Sequence, residues 1–382
     1  MKKQKVYNGI DRPDEWKSVL EGKRIGLITN PSGVDREGRL TSDILFDEGL
    51  LTCLFSAEHG VRGDKQAGEK VDFYTDEKTG LPVYSLYGGV KHISPEILEG
   101  LDAVAFDIQD VGARFYTYIY TLSYAMEDCA ACGKEMIVFD RLDPQGASEP
   151  QGSVLESEFA SGVGRYPMAT RFNMTVGEYA RFINDTQGIG CRLTVIEVKG
   201  WSRDCSFTDT DLRWVAPSPN LPTPYATYCY IGTCIFEGTN VSEGRGTQNP
   251  FETVGAPWVD ADGLVDFMRG RGLLGVEFEA CEFIPTFSKH SGELCRGIRL
   301  YVTDDKKFRP FETGLYIYDF IRRNHKEFSV LSPNADGRYF LDKLLGCSDL
   351  RREDFDVQDF LARQKEKLEK YEKSIKPYYL YE

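Results

Sequence analysis

Four short segments of this sequence place amide, carboxyl, imidazole and guanidinium groups directly after apolar runs of β-type residues. They are Thr29-Asn30, Ser56-Ala57-Glu58-His59-Gly60-Val61-Arg62-Gly63, Gln109-Asp110-Val111-Gly112-Ala113-Arg114, and Asp140-Arg141. Taken singly, an Asp, Asn or Arg in such a place reads as a helix cap or a loop ion pair. Taken together they read as a site. Ligands of an open α/β sheet bind at the carboxyl ends of its strands, and capping does not require carboxylates and arginines from separate segments to share one edge.

The chemistry that suits this set is acid–base work on a sugar, with aromatic rings for stacking and a guanidinium for a substrate carboxylate. Tyr84, Tyr87, Tyr116 and Tyr118 supply rings, and each taken alone also reads as core. A serine nucleophile would call for G-x-S-x-G between a strand and a helix, which is not found. The first strand is followed by TNPSGVDREG, without the G-x-G-x-x-G that lets a backbone approach a pyrophosphate, so no cofactor is expected. The four histidines (His59, His92, His290 and His325) form no H-E-x-x-H or similar ligand spacing, and no metal is expected. Cys129-Ala-Ala-Cys132 falls within a helical stretch and reads as two ordinary thiols. Two rival readings stay open: a binding module that captures a sugar without cleaving it, and a metal-dependent amidase or esterase using His59 and Asp110.

The elements that must position these residues alternate between short β-rich runs and helical stretches, which calls for a mostly parallel, helix-covered sheet. Strands are predicted at 24–29, 51–56, 82–86, 103–108 and 136–140, with helices near 41–49, 94–100 and 118–132. The fold class is α/β, a Rossmann-like domain followed by a smaller α/β or α+β one. The proline-rich stretch VAPSPNLPTP (215–224) marks the boundary, giving domains 1–225 and 226–382 with a cleft between them. Beyond it come helices near 224–235, 260–270, 311–323 and 357–373, a strand at 296–302, and the glycine-rich loop 237–250 as a candidate pocket wall.

A chain of 382 residues exceeds one ordinary core, and a net charge of −14 argues against nucleic acid as a partner. No run of about 18 apolar residues predicts a membrane span. The start MKKQKVYNGIDRPDEW has no apolar segment behind its lysines, and the ten cysteines are scattered. Both features point to the cytosol, with a periplasmic or extracellular location if a signal peptide precedes this start.

At the same residues the chain resembles the NamZ/YbbC family of exo-acting β-N-acetylmuramidases. The resemblance rests on LFSAEHGVRG (54–63), TGLPVYSLYG (79–88), DIQDVGARFYTY (107–118), SPNLPT (218–223), EGTNVSEGRGT (237–247) and a closing YYLY (378–381). It departs from the family pattern at DRLDP (140–144), where D-R-P-N-P is expected. The resemblance implies a Rossmann-like first domain, a cleft at the domain junction, and a substrate bearing a non-reducing terminal N-acetylmuramic acid. The family's acidic residue maps onto Glu58, with Asp110 and Glu243 as candidates for a second catalytic carboxyl group. Arg62, Arg114 and Arg245 are the candidates for gripping the lactyl carboxylate. Asn30, His59, Gln109, Tyr116, Tyr118 and His290 complete the set expected to contact substrate.

Overall fold

A computed structural model describes residues 3–57, 60–63 and 73–382. The strands of the first half are β1 (Ile25–Thr29), β2 (Leu51–Ser56), β3 (Phe73–Thr75), β4 (Pro82–Ser85), β5 (Ala103–Asp107), β6 (Glu135–Phe139) and, after the hairpin β7 (Gln151–Val154) and β8 (Ala169–Arg171), β9 (Arg192–Ile196). Seven of them form one sheet in the order β3-β4-β2-β1-β5-β6-β9, parallel throughout except for β3 against β4. With β3 set aside, the parallel strands lie in the doubly wound order, whose direction reverses between β1 and β5. Thr29 pairs with both Ser56 and Asp107, so the segments leaving β2, β1 and β5 start level with one another.

Helices cover both faces, which is why β1 and β5 are buried along their whole length and read as unbroken apolar runs. Trp16 and Leu20 of α1 (Pro13–Leu20) and Ile44 and Leu45 of α2 (Thr41–Asp47) pack on one face with Leu27 and Ala105. Leu98 of α3 (Pro95–Glu99), α4 (Tyr118–Ala131) and α5 (Val176–Thr186) pack on the other with Ile28 and Phe106. Thr175 opens α5 with a reciprocal capping box to Glu178, and Asp140 accepts from the Thr175 hydroxyl (2.7 Å) and the Gly177 N–H (2.8 Å). The end of β6 therefore serves the start of α5.

The second half holds α6 (Pro224–Thr233), an antiparallel sheet of β10 (Thr253–Ala256), β11 (Val276–Phe283) and β12 (Cys295–Val302), and the helices α7 (Ala261–Arg269), α8 (Pro310–Asn324), α9 (Phe340–Leu345) and α10 (Val357–Ile375). Its apolar core is continuous with that beneath α4 and α5. The proline-rich stretch precedes the change of sheet, but it also straps the first one: the Pro217 carbonyl accepts from Asn30 Nδ2 (3.1 Å) and the Tyr118 hydroxyl (3.0 Å). The last residues return to the first half, where Tyr381 donates to Asp140 (2.6 Å) and Leu380 N–H to Glu178 (2.8 Å). No helix among the described residues is long and apolar enough to cross a membrane.

Candidate active site

Asp110 sits just past β5, beside the reversal of strand order. Its Oδ1 accepts from the Gly112 N–H at 2.8 Å, a turn closed on its own backbone. Its Oδ2 is buried and has no hydrogen-bond partner among the described residues. Burial is the main reason its carboxyl is pushed up to about 8, with the nearby Asp143 carboxylate adding to the shift against the Gly112 N–H. Asp143, itself buried and raised to about 6, was not among the sequence candidates. Burial thus favours the protonated form of this carboxyl group.

A row of buried aromatic rings, beginning at Tyr116 within electrostatic reach of this carboxyl group, runs to the second half of the chain. Tyr116 meets Tyr118 edge-on at 5.0 Å and Tyr230 at 6.1 Å, and Tyr230 meets Phe251 at 4.6 Å. Arg245 lies over Phe251 at 5.0 Å. Phe251 holds a left-handed backbone (φ 64°), fixed by its N–H to the Glu243 carbonyl (2.7 Å) and its own carbonyl to the Thr233 hydroxyl (2.9 Å). The band thus brings the D-V-G-x-R and S-E-G-R-G blocks, far apart in sequence, to one place. Sequence reading selected Tyr116 and Tyr118 but missed Tyr230 and Phe251, which carry no polar flanking motif.

Glu243 is buried between two cations, Lys289 (2.6 Å) and Arg245 (3.3 Å). Arg245 also donates to Glu237 (2.8 Å) and keeps 28% of its side chain exposed. Lys289 donates further to the Phe236 and Thr239 carbonyls (2.6 and 3.2 Å), closing the turn before the glycine-rich loop. His290 pins the same loop through its Nε2 contact with the Asn240 carbonyl (2.7 Å). Lys289 escaped the sequence reading because nothing in FSKHSG marks a lysine that folds back onto a glutamate 46 residues earlier.

Several expected substrate contacts are placed elsewhere. Arg114 is wholly buried and donates from Nη2 to the Leu344 and Leu345 carbonyls (3.1 and 2.9 Å), satisfying the last turn of α9 instead of facing the cleft. Arg62 is held by Asp76 (2.8 Å) and Asp43 (3.0 Å), and this pairing lowers Asp76 to about 2. Asn30 spends its amide on Pro217 and on the Ser32 N–H (2.9 Å), and Gln109 donates to the Asp110 and Leu142 carbonyls (2.8 and 3.0 Å). Asn30 and Gln109 thus supply internal partners to the backbone of loops leaving buried strands, while Arg114 and Arg62 serve α9 and two carboxylates. Asp140 and Arg141 follow the same rule, Arg141 pairing with Asp107 (2.8 Å). Glu58 and His59 lie outside the described residues. Among those described, no group of three or more His, Cys, Asp or Glu side chains is arranged to hold a metal ion.

Family models described as exo-β-N-acetylmuramidase NamZ match the chain over residues 25–225 (N-terminal) and 228–381 (C-terminal). It is 47% identical to the peptidoglycan β-N-acetylmuramidase NamZ of Bacillus subtilis (strain 168), an alignment covering all of this chain and 92% of that protein. Two crystal structures of DUF1343-family proteins from Bacteroides fragilis NCTC 9343 share its architecture. One is 32% identical with a TM-score of 0.90, the other 28% identical with a TM-score of 0.78, each over 99% of both chains.

Proposed function

The chain belongs to the exo-β-N-acetylmuramidase NamZ family, and from that premise we propose that it is a glycoside hydrolase that frees non-reducing terminal N-acetylmuramic acid from peptidoglycan fragments. The observation that carries the reading at the level of the site is the buried Asp110, whose Oδ2 has no partner among the described residues and whose carboxyl is raised by burial, near a row of aromatic rings that ends at Arg245. Glycosidic cleavage needs a proton for the leaving oxygen and a negative charge for an oxocarbenium-like centre, normally from two carboxyl groups. Asp110 is the member of the pair that holds the proton at neutral pH. Glu58, the acidic residue of the E-H-G block that follows β2, is the other. Glu243, already flanked by two cations, fixes Arg245 and Lys289 instead of joining that pair.

The lactyl carboxylate distinguishes N-acetylmuramic acid from N-acetylglucosamine, and a guanidinium can answer it with two parallel hydrogen bonds. Of the three arginines considered, Arg245 combines partial exposure with a place on the aromatic band. On a chain of net charge −14 it also provides local attraction for an anionic sugar.

The test compares wild type with Glu58→Gln and Asp110→Asn on a muramic acid–glucosamine disaccharide. Each variant is expected to lose turnover by roughly a hundredfold or more while still binding the sugar. Undiminished release by either variant removes that residue from the mechanism. Binding of the disaccharide by wild type with no cleavage would favour the sugar-capturing module.

A further inference from the structure

The loop joining β11 to β12 carries Phe287, a large apolar side chain left 53% exposed. The same loop holds two of the four non-glycine residues with positive φ among the described residues. Ser288 and His290, which flank Lys289, both adopt left-handed conformations (φ 70° and 56°). Such conformations cost free energy in non-glycine residues and persist only where surrounding contacts over-determine them, which is commonest at ligand clamps.

Several contacts that fix this loop lead to the glycine-rich loop that carries Arg245. The Thr286 N–H and hydroxyl both donate to the Gly246 carbonyl at 2.9 Å. Gly246, with φ 80°, lies so close that a Cβ there would stand 2.7 Å from the Phe287 carbonyl oxygen. Lys289 is bound to Glu243, and Gly246 directly follows Arg245. Phe287 is therefore held at a fixed offset from Arg245 by backbone on both sides, while its ring is left open to solvent.

A ring exposed at that energetic expense has a use if it meets a ligand. Resting on the glycosidase reading above, we propose that Phe287 is the platform on which the sugar on the leaving-group side of the scissile bond stacks. The occupant follows from the role proposed for Arg245. Arg245 is assigned the carboxylate of the terminal sugar, and the next sugar must pass over the rim of the site. Phe287 is the exposed aromatic of the loop whose backbone meets Gly246, the residue after Arg245. The apolar face of a hexose ring matches an aromatic surface without requiring a hydrogen-bond partner.

Two substrates separate this proposal from the reading beneath it: the muramic acid–glucosamine disaccharide, and the methyl β-glycoside of N-acetylmuramic acid, which has no second sugar. Phe287→Ala is expected to raise KM for the disaccharide about five- to tenfold and leave the methyl glycoside unchanged. Phe287→Trp should restore the disaccharide KM, and Phe287→Leu, apolar but not aromatic, should not. Equal effects on both substrates, no effect on either, or rescue by leucine would overturn the stacking role while leaving the hydrolase standing. A wild type that cleaves neither substrate would overturn both.

Discussion

A carboxyl oxygen left without a partner in a water-poor interior lowers stability, and Asp110 shows how that loss scales with pH. Its pKa rises from 3.8 to about 8 on folding, chiefly through burial. As the pH climbs past about 4 the unfolded chain releases this proton, while the folded chain retains it until near 8. The group's contribution to stability is therefore complete below about pH 4 and lost progressively toward pH 8. Asp110→Asn keeps an acceptor for the Gly112 N–H and has no proton to release. It is expected to melt above wild type at pH 8, with the gap closing toward pH 4 in a calorimetric series. A wild type that is the more stable at pH 8 would contradict the protonated assignment. That Asp110 follows an apolar strand was legible in the sequence. Its protonation was not, because that depends on the burial of the turn and on Asp143, both products of tertiary packing.

Among the elements, the legible ones were those whose apolar periodicity matches a long interface. β2 was read at 51–56 and found at Leu51–Ser56, and the helix read at 118–132 is α4, Tyr118–Ala131. Length alone did not decide the matter: the four-residue β4 was read at 82–86, whereas the three- and four-residue β3, β7 and β8, the eight-residue β11 and the eleven-residue α5 were not. Nor does position after a strand reveal which way a side chain turns, as Arg114 shows by reaching inward to α9. One helix pair gives a test at this scale. α6 and α8 cross where Gly232 meets Gly314, and a Cβ on Gly232 would stand 1.9 Å from the Pro310 carbonyl oxygen. In an exposed helix Gly→Ala is stabilising, but here the backbones have no room. Gly232→Ala is expected to destabilise the protein by about 2 kcal/mol or more, read from the shift of a urea midpoint at constant slope. A neutral or stabilising result would mean that the two helices do not approach as closely as described.

At the scale of the whole molecule, the proline-rich stretch marked a change of sheet but could not announce that the chain would come back. The closing YYLY block binds the first half: Tyr381 donates to Asp140, which also receives the Thr175 hydroxyl and the Gly177 N–H, and Tyr379 lies over Arg203 at 3.4 Å. Nothing in those residues names a partner some two hundred positions away, so their role was visible only as part of a family resemblance. Tyr381→Phe removes one donor from a buried carboxyl group and is expected to lower stability by about 1–3 kcal/mol at neutral pH in a denaturant titration. A chain ending at residue 225 lacks these partners and α9 as well, and is expected to show no cooperative melt by circular dichroism. The continuity of core, strap and tail holds Asp110 and Arg245 on one frame, and the claim that this frame is a glycosidase can be examined directly. A muramic acid–glucosamine disaccharide is incubated with the protein in isotopically labelled water, and the products are identified by mass spectrometry. The account predicts free N-acetylmuramic acid carrying one labelled oxygen, together with unlabelled glucosamine sugar. Recovery of the intact disaccharide, or label incorporated by cleavage of an amide or ester in place of the glycosidic bond, would contradict it.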